Sequence, residues 1–265
     1  MTEGDHMAKK IEVKTTEKKA GAKKADKKPK AKKDDGLSHD FSEFLQDLVE
    51  YDDVEIRKRL AAIIPKNAEK LPKNIVGMMK DLAKDTNPEV RIEAAESILE
   101  NADKLPKNIV GLVKDLAKDA DVGVRVQVAE EILENAEKLP KNILNLVKDL
   151  AKDSDILVRK EVAEEILENA EKLPNEILGL IKNLAKDADA TVRKEVSEEL
   201  LENAEKLPQE ILSLIRDLAK DAEDEVKKGL SEEILENAVK LPKDLLAGLV
   251  TDLLGGSDSK KKKKK

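Results

Sequence analysis

The stretch from Leu71 to Lys104, LPKNIVGMMKDLAKDTNPEVRIEAAESILENADK, recurs along the chain at a 34-residue offset. LPKNIV stands at 105, LPKNIL at 139, LPNEIL at 173, LPQEIL at 207 and LPKDLL at 241, and the ILENA block keeps the same offset. In an array of this kind no unit buries its own apolar face, and each depends on its neighbours. The 265 residues therefore predict one repeat array rather than several separate cores.

The spacing within each unit predicts two helices. The first opens at a Leu-Pro pair, because proline at the first helical position gives up only an amide that would have no partner and its fixed φ suits a helix. Pro72, Pro106, Pro140, Pro174 and Pro208 mark these starts. Ile75, Val76, Met79, Leu82 and Ala83 then follow at the spacing of one apolar helical stripe. Asp85-Thr86-Asn87 breaks the pattern, and Pro88, with Asn87 as its cap, begins the second helix. That helix turns Val90, Ala94, Ala95, Ile98, Leu99 and Ala102 inward and Glu93, Glu96, Glu100 and Asp103 outward. Gly77, Gly111 and Gly179, with Asn145 and Ser213, put a small residue in the middle of the first helix. Glycine there costs about 1 kcal/mol against alanine, so a close approach by a neighbouring helix is expected to compensate.

The turn and helix start DxDxxVR, present at Asp119 to Arg125, Asp153 to Arg159 and Asp187 to Arg193, resembles the inter-helix signature of HEAT repeats and, more loosely, of armadillo repeats. The unit is short for a HEAT repeat, and its proline opens the first helix instead of lying within it. Tetratricopeptide repeats share the length but need large aromatics at set places, whereas Phe41, Phe44 and Tyr51 are the aromatics here. The resemblance covers residues 37–254 and implies an all-α, right-handed α-solenoid. Six two-helix repeats would begin at 37, 71, 105, 139, 173 and 207, with a closing helix at 241–254. The first repeat is degenerate: Ser38 replaces the proline, and Pro65 replaces a core leucine and should kink or end the second helix. Terminal repeats are atypical because one side faces water.

Residues 1–36 hold twelve lysines against seven acids, with no apolar periodicity, the composition of a disordered basic arm. Residues 255–265 carry six lysines against one acid and read as a flexible poly-lysine tail. Each segment is +5, so with −7 for the whole chain the body at 37–254 holds −17. The absence of cysteine excludes disulfides and thiolate metal sites. No apolar run approaches the roughly 20 residues that cross a bilayer, and no signal-peptide core opens the chain, so a cytoplasmic protein is expected. A charged fraction of 40% without tryptophan resembles soluble proteins of thermophiles and predicts a thermophilic, archaeal source.

Several columns are candidates for function. Asn101, Asn135, Asn169 and Asn203, with Asn67 and Asn237, read either as a groove lining that binds an extended peptide, as a repeated asparagine does in armadillo proteins, or as closures of the second helix. Arg57, Arg91, Arg125, Arg159 and Arg193 pair in register with Asp85, Asp119, Asp153, Asp187 and Asp221, which predicts a ladder of charge-assisted bonds between neighbouring repeats. Glu96, Glu130, Glu164 and Glu198, with Glu100, Glu134, Glu168 and Glu202 one turn on, stack into acidic stripes on the second helices. Lys80, Lys114, Lys148 and Lys182 stack on the first. In HEAT-like arrays the second helices line the concave face, which would make that face acidic.

Catalysis finds little support. His6 and His39 are the histidines, both outside the regular repeats, so no histidine-based catalytic or metal cluster can form there. Neither cofactor, metal nor small-molecule substrate is expected. The leading reading is a non-enzymatic scaffold presenting an acidic concave surface to a basic protein partner. The alternative is a nucleic-acid-associated protein acting through its tails alone, at Lys23, Lys24, Lys27, Lys28, Lys30, Lys32, Lys33 and Lys260 to Lys265, by counterion release. An enzyme using a buried carboxylate in a cleft is a third. The tethered arm reads either as a solubilising tail without contacts or as a segment that docks transiently on the glutamate stripes at low salt.

Overall fold

Eighteen α-helices and two single 3-10 turns follow one another without a strand among the described residues, each helix packing on its neighbours in the chain. The structure, a computed structural model, describes residues 39–221 and 224–255, and side chains over 43–219 and 230–251. Six long helices alternate with shorter ones. The long ones are α2 (Val54–Lys66), α5 (Pro88–Glu100), α8 (Val122–Glu134), α11 (Ile156–Glu168), α14 (Ala190–Glu202) and α17 (Asp224–Asn237). Each packs side by side on the next, so they form one continuous layer.

The sequence explains where these helices begin. Asp53, Asn87, Asp121, Asp155 and Asp189 are N-caps in extended backbone, and each side chain accepts a backbone N–H of the first turn. The preceding acid of the DxDxxVR turn folds the loop itself: the Asp155 amide donates to Asp153 Oδ1 at 2.8 Å, and Asp121 does the same to Asp119 at 2.9 Å. The inward stripe is as expected. Val90, Ala94, Ala95, Ile98 and Leu99 have no exposed area, nor have Val124, Val128, Ala129, Ile132 and Leu133 one repeat later. Pro65 lies in the last turn of α2, which ends at Lys66.

The second layer differs from expectation. Each first helix of the regular repeats is divided into two short pieces: α3 (Lys73–Gly77) and α4 (Met79–Leu82), α6 (Lys107–Val110) and α7 (Val113–Leu116), α9 (Lys141–Leu144) and α10 (Val147–Leu150), α12 (Asn175–Leu178) and α13 (Ile181–Leu184), α15 (Gln209–Leu212) and α16 (Leu214–Asp221). The junction tightens to i→i+3 bonds, as in Leu112 N–H to Ile109 C=O at 2.9 Å and Lys114 N–H to Gly111 C=O at 3.3 Å. The prolines stand one residue outside, as N-caps, and the Pro72 carbonyl accepts from Ile75 and Val76. The small-residue column falls at this break. The expected helix approach is absent: a Cβ on Gly77 would meet nothing within 4 Å, and on Gly111 or Gly179 only the preceding turn of its own segment. The closing helix α18 (Lys243–Gly255) is unbroken, and α1 (His39–Val49) opens the array against α2.

The arginine column joins adjacent repeats as a ladder. Arg125 donates Nε to Asp153 Oδ2 at 2.8 Å and Nη2 to Oδ1 at 3.0 Å, while Nη1 holds the Asp119 carbonyl of its own turn at 2.8 Å. Arg57 with Asp85, Arg91 with Asp119 and Arg159 with Asp187 repeat the arrangement. Arg193 holds the Asp187 carbonyl, and the Asp221 side chain lies outside the described residues. Burial alone would raise Asp153, but the Arg125 hydrogen bond and the Asp155 amide outweigh it and hold the carboxyl below its usual range. Among the described residues no helix is long and apolar enough to cross a membrane.

Candidate functional site

The outward side of the long-helix layer carries glutamate at several registers, and packing brings the stripes of successive helices within electrostatic reach. Glu96, Glu130, Glu164 and Glu198 are half-buried between neighbouring helices, Glu100 is also half-buried, and Glu134, Glu168 and Glu202 are exposed. Burial raises Glu96, with Glu93, Glu100 and Glu130 adding to the effect; Glu164 is raised likewise by burial and by Glu195 and Glu168. Lysines answer part of this charge. Lys66 lies 3.7 Å from Glu100, Lys160 lies 2.6 Å from Glu195, and Lys194 pairs with Glu198.

Beneath the stripes runs a column that the sequence reading did not single out. Glu131, Glu165 and Glu199 keep only 6%, 7% and 8% of their surface exposed. Burial is the chief cause that pushes Glu131 and Glu165 up to about 8 and Glu199 up to about 7, reinforced by Glu134, Glu168 and Glu202 one turn along. Glu161, on α11, rises to about 7, chiefly by burial and then by the charges of Glu164 and, from α8, Glu130. Near neutral pH Glu131 and Glu165 are therefore mostly protonated, and Glu199 and Glu161 about half so. The signal was present in the helical phase: Val124, Val128, Glu131 and Asn135 fall at i, i+4, i+7 and i+11, one stripe of α8 that starts in the core.

The asparagine column is tied into this buried row. Asn135 Nδ2 donates to the Glu131 backbone carbonyl and to Glu131 Oε2, both at 3.0 Å, and its Oδ1 accepts from Lys138 at 3.4 Å. Asn169 joins Lys172 to Glu165, and Asn203 joins Lys206 to Glu199, in the same way. Asn101 bonds the Ser97 carbonyl and Lys104. Both amide protons of Asn135, Asn169 and Asn203 are thus engaged internally, closing the helix end. The closure is not left-handed, since φ at Asn67, Asn101, Asn135, Asn169 and Asn203 lies between −96° and −115°. In the second repeat the same column carries Ser97, whose Oγ is fully buried without a hydrogen-bond partner.

No family model matches this chain, and no curated protein matches it. Among solved structures it is similar to the crystal structure of an engineered protein from the Northeast Structural Genomics Consortium, at 22% identity over 80% of this chain and 97% of that one, with a TM-score of 0.40. So distant a likeness does not bear on the site.

The basic stripe of the first helices is crossed by acids of the next repeat, Lys148 pairing with Glu176 and Lys182 with Glu210. The tail lysines Lys23, Lys24, Lys27, Lys28, Lys30, Lys32, Lys33, Lys260 and Lys265 lie outside the described residues. Among the described residues no three His, Cys, Asp or Glu side chains converge as a metal site would require.

Proposed function

We propose that the chain is a HEAT-like right-handed solenoid of six repeats with a closing helix, and that it acts as a non-enzymatic scaffold whose long-helix face, the concave one, binds a basic segment of a protein partner. One observation carries this reading: glutamates from Glu96 to Glu202 lie within electrostatic reach of one another across four successive helices. Such a surface favours a cationic chain laid across it and repels phosphate backbones. Nucleic-acid association, the competing function, is supported only by the lysine runs of the two tails. A thermophilic archaeal source, inferred from the 40% charged composition, suits the interlocked ion pairs.

The test is titration of the full chain with a lysine- and arginine-rich peptide and, separately, with duplex DNA. Replacing Glu130, Glu134, Glu164 and Glu168 by glutamine should weaken peptide binding about tenfold or more, while removal of residues 1–36 and 256–265 should leave it intact. Peptide binding unchanged by the glutamine variant, or abolished with the tails, contradicts the proposal.

A further inference from the structure

The last repeat departs from the earlier ones at its outer end, and three positions show it. Leu235 on α17 continues the column Leu99, Leu133, Leu167 and Leu201, none of which has exposed area, yet Leu235 is 79% exposed. The earlier leucines are covered where the next long helix packs alongside, as α8 does on α5 and α14 on α11. α18, which follows α17, packs on α16 in the layer of first helices, and no helix is described after it. Val239, one turn on, is 93% exposed and stands where earlier repeats carry Asp103, Glu137, Glu171 and Glu205. That column looks toward the following repeat, because Asp103 lines a groove with Lys138, Pro140 and Asn142. On α18, Val250 is 44% exposed at the place of Lys80, Lys114, Lys148, Lys182 and Arg216. A solenoid end that met only water would carry polar residues there. Here a charge is replaced by valine twice, beside an uncovered core leucine.

We propose that this end is a homodimer interface: two copies meet C-terminal end to C-terminal end about a two-fold axis, α18 of each lying along α17 of the other, where a further long helix would pack. The place continues the helix-on-helix packing that joins α2 through α17 within the chain. Its occupant must be a helix of about the same length, and α18 is one: unbroken, thirteen residues long, burying Leu245 and Leu249 against its own chain while turning Val250 outward. The chain's own tails cannot serve. Residues 1–36 hold Ile11 and Val13 as their only branched aliphatics, and residues 256–265 contain glycine, serine, aspartate and lysine alone. Charge also favours a second copy. Glu232 and Glu236 are exposed on α17 beside Leu235, and Lys260 to Lys265 begin five residues past the end of α18. The sequence of each copy thus supplies charge opposite to the other's glutamates, and one patch is complementary to itself. This interface does not use the glutamates of the long-helix face, so it stands or falls independently of the function proposed above.

Sedimentation of the full chain over a wide range of concentration is the test. The expected result is a reversible dimer of the 29.3 kDa chain, weakened about tenfold or more in Leu235→Glu/Val239→Glu, with the thermal midpoint unchanged at dilutions where the parent is monomeric, because both side chains are exposed there. Leu157→Glu, on an exposed apolar residue of α11, should dimerise as the parent does. A parent chain that stays monomeric throughout overturns the proposal. So does a dimer that survives the Leu235/Val239 substitutions, or one that the Leu157 substitution disrupts equally.

Discussion

At the scale of single residues, the buried glutamates set how stability varies with pH. The folded state holds protons on Glu131, Glu165 and Glu199 up to about 7 to 8, against an ordinary value of 4.5. More protons are bound folded than unfolded in that window, so the contribution is fully present below 4.5 and is lost as pH rises through 7 to 8. Glu131→Gln keeps the shape and the acceptor for Asn135 without a charge to ionise. It should match the parent at pH 5 and exceed it at pH 8 by on the order of 2 kcal/mol, read by urea unfolding at the two pH values. Equal stability at pH 8 would show that the carboxyl is already solvated. Ser97→Ala, which deletes a buried hydroxyl without a partner, should stabilise by roughly 0.5–2 kcal/mol at every pH, and a loss on chemical denaturation would contradict that assignment. Glu131 was legible only through its phase with Val124 and Val128. Its neighbour Glu130 and the acid-rich EEILEN run make it look like one more solvated charge, because residue type marks the outward face more loudly than phase does.

At the scale of elements, the turn between the helices is where sequence and structure agree most closely. The 28-residue offset between Arg125 and Asp153 could be read because an aspartate kept the same register in every regular repeat and an arginine in all but the last, where Lys227 stands. The structure adds that the same guanidinium also holds the Asp119 carbonyl, so one side chain fixes two successive turns. Arg125→Ala leaves Asp153 largely buried and unpaired and should cost about 3 kcal/mol. Arg125→Lys should recover only part, since an ammonium cannot replace a planar fork that spans two acceptors. Thermal unfolding of both variants checks this, and equal losses, or a lysine that restores the parent, would contradict the fork. The break in the first helices was not legible. Gly77, Asn145 and Ser213 at its column share little beyond small size, and the apolar stripe Ile75, Val76, Met79, Leu82 runs through the tightened junction without a gap.

At the scale of the whole array, local charge ladders and a shared apolar layer combine into one extended face. Packing successive long helices side by side buries Ile98, Ile132 and Ile166 in a common core, and the same register stacks the glutamates that the unfolded chain keeps apart. The proposed scaffold function rests on that stacking. A cationic segment bound there stabilises ionised carboxylates, so Glu131, Glu165, Glu161 and Glu199, which retain protons near neutral pH, must release them as it binds. The tails cannot produce this effect, because lysine is already protonated at neutral pH. Calorimetric titration of the full chain with a lysine- and arginine-rich peptide at pH 7, in two buffers of different ionisation enthalpy, reads the number of protons exchanged. The account predicts net release of about one proton or more per peptide, falling by about half or more in Glu131→Gln/Glu165→Gln; binding with no release, or with uptake, would contradict it.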